Sequence, residues 1–217
     1  MTSCRIRLKF SKLDGVVYLG HLELADALRR TVRRAGVNVA YTQGYRPRPK
    51  IDLGRALPMG IESSCEYIDV TFEGSCDTND LCTVLNAASP EGIKFTEAIV
   101  VEESTASIEE SIVAANYEVD LGDHAAADDA ISVFNARETA AAHVIRKGKT
   151  REIDVKSCVS NLAIREGDVL SLTLSHRAPT LKIGEVLAAI MGFSNEVVSE
   201  LHVMKVGVHF NEAGSRK

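Results

Sequence analysis

Tryptophan is absent from this 217-residue chain, and aromatic residues make up only 5% of it. A broad aromatic platform for stacking single-stranded bases is therefore not evident. Uncharged stretches fall well short of the ~20 apolar residues a membrane helix needs. The first residues, Met1-Thr2-Ser3-Cys4-Arg5-Ile6-Arg7, carry charge where a signal peptide would carry an apolar run. The expectation is a soluble, cytoplasmic protein. Cysteines are few and irregular: Cys4, Cys65, Cys76, Cys82 and Cys158. No two have the C-x-x-C spacing of zinc ribbons and redox pairs, so reduced thiols are expected and a disulfide framework is not. Phosphate loops, dinucleotide fingerprints, serine elbows and zinc-protease helices are missing too. The histidines show no metal-ligand spacing. The chain is thus expected to hold no cofactor or metal, and it spells no reaction of its own.

Acid is scarce in one region. Residues 1–60 hold twelve Lys and Arg against four Asp and Glu, a balance of +8. Residues 61–140 hold two against eighteen, and residues 141–217 hold eleven against eight. The overall charge of −5 conceals this division. Nine of the twelve early cations are arginine, whose planar fork suits bidentate contact with phosphate. The pattern predicts an anionic partner for the first sixty residues. The bland alternative is that this half neutralises the acidic middle within the molecule.

The hydrophobic pattern predicts an α+β chain. Residues 4–10 alternate basic with apolar, a strand with Arg5, Arg7 and Lys9 on its wet face. Residues 20–35 read as an amphipathic helix with a core stripe of Leu22, Ala25, Leu28, Val32 and Ala35, stopped by Gly36. An extended region follows from Val37 to Leu57. Strands are expected at 65–73 and 92–101, with a helix from Asp77 to about Ala88 between them. This succession is the split βαβ pattern of a ferredoxin-like fold. After a polar stretch the pattern repeats. Strands are expected at 117–121, 169–174 and 201–210, helices at 125–135 and 183–191, and a hairpin around Lys147-Gly148-Lys149. The chain therefore reads as two ferredoxin-like (βαββαβ) halves with antiparallel sheets covered by helices. Residues 1–103 form the basic N-terminal domain, 104–112 an acidic linker, and 113–217 a C-terminal α+β domain.

Three features can carry chemistry. On the predicted helix, Arg29, Arg30, Arg33 and Arg34 lie opposite the apolar stripe. Asp26 precedes Arg29 and Arg30 by three and four residues, where ion pairs form. Arg33 and Arg34 lack such an acid and are the better phosphate ligands. The second feature is the loop Tyr41-Thr42-Gln43-Gly44-Tyr45-Arg46-Pro47-Arg48-Pro49-Lys50. Gly44 allows a tight turn, and Pro47 and Pro49 hold Arg46 and Arg48 extended. Tyr41 and Tyr45 offer planes for a base or ribose. The third is His21, a candidate general acid or base that can equally fix a loop by hydrogen bonding.

Several stretches resemble the radical-SAM-linked proteins, a bacterial family. They are Gly20-His21-Leu22-Glu23, Arg30-Thr31-Val32-Arg33-Arg34-Ala35-Gly36, Tyr41 to Pro49, and Leu57-Pro58-Met59-Gly60-Ile61-Glu62-Ser63. The family typically has Ser-His-Leu-Asp where this chain has Gly20 to Glu23. It commonly has Phe-Asn-Pro-His-Pro where this chain has Tyr45 to Pro49. Members tend to be encoded beside or fused to a radical SAM protein, often near genes for ribonuclease G and ribosomal proteins. The resemblance implies RNA or ribosome modification, with a radical SAM protein and an RNA (tRNA or rRNA) as partners. This chain lacks the radical SAM cysteine cluster, so any such chemistry belongs to the partner. The leading expectation is a non-catalytic RNA-binding or substrate-presenting subunit. It would use Arg30, Arg33, Arg34, Tyr41, Gln43, Tyr45, Arg46, Arg48 and Lys50. The alternatives are a metal-independent RNA-processing nuclease using His21 and a protein–protein adaptor.

Overall fold

The computed structural model describes residues 3–75, 77–102, 104–122, 127–166 and 168–211. The fold is mixed α+β, with mostly antiparallel sheet and several helices. It divides into two compact units, one running to Ile112 and taking up Phe210 and beyond, the other Val113–His209.

In the first unit, β1 (Ser3–Lys12) turns Ile6, Leu8 and Phe10 inward, each at most 1% exposed. They pack with Leu24, Leu28 and Val32 of α1 (His21–Arg34), with β3 (Glu62–Glu73), α2 (Leu81–Ala88) and Phe95 of β4 (Ile93–Val101). β1 pairs antiparallel with both β3 and β4, and β2 (Ile51–Leu53) pairs with β3. The strand order is thus β4-β1-β3-β2. The Glu23 carboxylate accepts from the Gly20 N–H at 2.9 Å and satisfies a first-turn donor of α1. Arg33 and Arg34 complement the dipole in its last turn. Gly36, at φ +68°, then turns the chain away.

Two sequence expectations need correction here. Leu22 is 78% exposed and does not join the core, whereas Leu24 does. At ~100° per residue Leu22 lies about 120° from Leu28, outside the buried arc that Leu24 extends. Nor is the basic face of β1 wet. Arg7 is 3% exposed and grips Asp69 of β3 through two hydrogen bonds of 2.8 and 2.9 Å. Its guanidinium lies 5.6 Å from the centroid of the Phe210 ring. Arg5 donates to the carbonyls of Glu102 and Thr105. Chain beyond residue 101 covers this face, which local alternation does not reveal. The segment read as a linker carries α3 (Ile108–Ser111), with Ile108 and Ile112 buried.

The second unit has the order β10-β5-β9-β8, from β5 (Ile112–Asp120), β8 (Val159–Arg165), β9 (Val169–Ser175) and β10 (His202–Phe210). The helices are α4 (Ala127–Ala136), α5 (Ile183–Met191) and α6 (Asn195–Glu200). β6 (Ala141–Arg146) and β7 (Lys149–Asp154) form a separate hairpin. Its turn residues Lys147 and Gly148 both have positive φ, the requirement of a tight two-residue hairpin loop. Arg146 is spent on Glu185 of α5 in a fork at 2.6 and 2.7 Å. Burial pushes the Glu185 carboxyl up, but hydrogen bonds from Arg146 and the Lys182 N–H hold it below its usual range. β8 and α6 were not expected from the sequence. Residues 125 and 126, the start of the third predicted helix, lie outside the described residues.

Cys65, Cys82 and Cys158 are free thiols, whereas Cys4 is disulfide-bonded, which corrects the expectation of reduced thiols at that position. Cys76 lies outside the described residues. Among the described residues no helix is long and apolar enough to cross a membrane.

Candidate functional site

Two chain segments of the first unit build one open groove. The first is the polar side of α1. The apolar arc of the helix is fixed in the core by Leu24, Leu28 and Val32, so the positions opposite it face outward. The second is the loop between residues 40 and 50. Its base is tied to β3: the Ala40 N–H donates to the Thr71 carbonyl at 2.8 Å, and the Thr71 N–H donates to the Lys50 carbonyl at 3.1 Å. Within the loop, Tyr41 and Pro49 pair as an isolated bridge. The Thr42 N–H donates to the Arg48 carbonyl at 2.9 Å, and the Arg48 N–H donates to the Thr42 hydroxyl at 3.1 Å. Pro47 and Pro49 fix φ on either side of Arg48. Arg48 is thus held by bonds at its own backbone and by rings on both flanks.

Asp26, Arg29, Arg30, Arg33, Pro47, Arg48 and Pro49 line the groove, which has a volume of about 270 Å³. Asp26 pairs with Arg29 at 2.9 Å, so these two charges cancel locally. The guanidinium groups of Arg30, Arg33 and Arg48 make no ion pair or hydrogen bond among the described residues. Three positive charges unpaired among the described residues therefore converge from two segments on an open groove. Such a groove fits an anion that offers several oxygen acceptors, because each guanidinium can donate two parallel hydrogen bonds.

The other predicted ligands are exposed but do not line this groove. Arg34 projects further round α1. Tyr41, Gln43, Tyr45, Arg46 and Lys50 stand on the loop, and Tyr45 is 99% exposed. Arg48 lines the groove and Arg46 does not.

His21 stands elsewhere. It opens α1, and Arg33 follows twelve residues later, roughly 18 Å along the axis. His21 borders a narrow cleft with Lys12, Arg55, Glu66 and Tyr67, walled by Phe10, Leu19, Leu24, Leu53 and Leu57. The sequence reading missed Lys12, Glu66 and Tyr67. The signal was there for Lys12, which continues the inward period-two stripe Ile6, Leu8, Phe10. The Lys12 ammonium is buried and donates to the carbonyls of Val17 and Leu19, each at 3.1 Å. It thereby closes the 3-10 turn Asp14–Tyr18. Desolvation, reinforced by the charge of Glu97, pushes the Tyr67 phenol up to about 12. The cleft holds only about 10 Å³, room for one water. Among the described residues no group of three or more His, Cys, Asp or Glu is placed to hold a metal ion.

A bacterial family model, described as "Uncharacterized protein conserved in bacteria (DUF2344)", matches residues 5–184. No curated protein matches the chain.

Proposed function

The chain belongs to the DUF2344 family of bacterial proteins, and from that premise we propose that it is a non-catalytic RNA-binding subunit. In this reading it presents RNA to a radical SAM enzyme in the cytoplasm. One observation carries the RNA half of the proposal: Arg30, Arg33 and Arg48 meet in one groove with no carboxylate of their own. Phosphate contacts position a nucleic acid without reading its sequence. Tyr45 and Tyr41, exposed on the same loop, supply stacking planes for unpaired bases. The radical SAM partner rests on the resemblance of the Gly20–Glu23, Tyr41–Pro49 and Leu57–Ser63 stretches to the radical-SAM-linked proteins.

We read both units as ferredoxin-like frames. The support is strand order. With β6 and β7 taken as an insertion, the second unit runs strand, helix, strand, strand, helix, strand. Its first, second, third and fourth strands then stack as fourth-first-third-second. The first unit stacks in the same order.

The test is RNA binding by the pure protein, with cleavage followed in the same tubes. Wild type should bind a structured RNA without cutting it. Arg33→Ala with Arg48→Ala should weaken binding by roughly tenfold or more, since bonds to charged groups are the stronger ones. RNA cleavage that disappears in His21→Ala would instead favour a nuclease, and absence of any RNA affinity would remove the proposal.

A further inference from the structure

The sheet of the second unit carries a polar network that the arginine groove does not explain. Four side chains, one from each of four neighbouring strands, hydrogen-bond in series. The Asn161 amide on β8 donates to the Thr173 hydroxyl on β9 at 3.1 Å. Thr173 donates to the Asn116 carbonyl oxygen on β5 at 2.9 Å. His209 Nε2 on β10 lies 2.8 Å from that same oxygen. An oxygen can only accept, so His209 Nε2 bears a proton, and in the neutral ring Nδ1 is left bare.

The network lines an open groove of about 240 Å³. Its floor is kept low by small residues, Ser171 and Thr173 among them. Gly207 matters as well: a Cβ there would stand 3.1 Å from the Asn116 amide nitrogen. Asn161 sits at φ +53° where the β8–β9 register shifts, a bulge that re-aims its side chain. At one edge Arg165 and Glu118 approach to 3.9 Å and offset each other's charge. The groove is therefore close to neutral, unlike the one on α1.

The chain of bonds uses one end of each amide and leaves the other. Among the described residues the Asn116 amide nitrogen, the Asn161 carbonyl oxygen and His209 Nδ1 make no hydrogen bond and are left for a ligand, a mixed set of donor and acceptors. Mixed sets of this kind match base edges and ribose hydroxyls rather than phosphates. We propose that this groove on the sheet of the second unit binds a ribonucleoside of single-stranded RNA, reading its base edge and 2′-hydroxyl. This inference rests on the RNA-binding reading above and adds to it a site that tells RNA from DNA.

The experiment compares a ten-nucleotide RNA with the DNA of equivalent sequence, by fluorescence anisotropy at two salt concentrations. Wild type should prefer RNA about three- to tenfold, the worth of one or two hydrogen bonds. Asn116→Ala and Thr173→Val should bring that ratio toward one, RNA affinity falling more than DNA affinity, with the salt dependence unchanged. His209→Gln, at an exposed position, serves as the third variant should either of the others unfold. Equal wild-type affinity for the two strands, or a preference that survives in the folded variants, would overturn this inference alone. Absence of binding to either strand would overturn it together with the RNA-binding reading.

Discussion

Arg7 and Arg33 both belong to the basic first sixty residues, yet they do different work. Arg7 is buried against Asp69 with both hydrogen bonds of the fork made. Removing one member of such a pair strands a buried charge, so Arg7→Ala should cost about 3–5 kcal/mol in urea denaturation. Replacing both, as Arg7→Met with Asp69→Leu, should recover most of that loss. Arg33 is exposed and has no partner among the described residues, so Arg33→Ala should change stability by less than about 0.5 kcal/mol. Tyr67 gives a second test at this scale. Its phenol is pushed up to about 12, first by burial and then by the charge of Glu97. The folded chain holds that proton more tightly than the unfolded chain. The resulting stability is complete below pH 10 and falls away as pH rises through 12. An ultraviolet titration should find a tyrosine still protonated at pH 11, and Tyr67→Phe should lack it.

Among the elements, the 40–50 loop bears most directly on function. Thr42 lies outside the arginine groove, but its hydroxyl accepts from the Arg48 N–H. Thr42→Val keeps the shape and removes the acceptor. RNA affinity should fall severalfold with unchanged thermal stability, because an exposed guanidinium loses its fixed origin. Much of this level was legible in the sequence. The helix expected at 20–35 is α1, and the hairpin at Lys147-Gly148-Lys149 is β6–β7. Both are local patterns, a 3.6-residue period and a turn dipeptide. β8 was not legible, because Asn161 at its left-handed bulge breaks the alternation that marks a strand. The burial of Arg7 was not legible either, since Asp69 and Phe210 reach it from distant parts of the chain. The convergence of Arg30 and Arg33 with Arg48 was an expectation about two segments. Only the tie between the loop and β3 brings them onto one groove.

At the scale of the whole molecule, a chain of net charge −5 is proposed to bind a polyanion. That is physically reasonable only if charge is segregated, because fields from neighbouring residues are screened beyond a Debye length of roughly 8–10 Å. The basic excess of the first sixty residues meets that condition in part. Arg7 is consumed by Asp69, Arg29 by Asp26, and Arg5 by backbone carbonyls. What remains in the groove is Arg30, Arg33 and Arg48. The most direct test is the salt dependence of RNA affinity for wild type and for the triple variant Arg30→Ala, Arg33→Ala, Arg48→Ala. Each phosphate neutralised contributes about 0.7 to the slope of log affinity against log salt for a single strand. Loss of three should therefore flatten the slope by about 2. A slope identical in the two proteins would contradict the account.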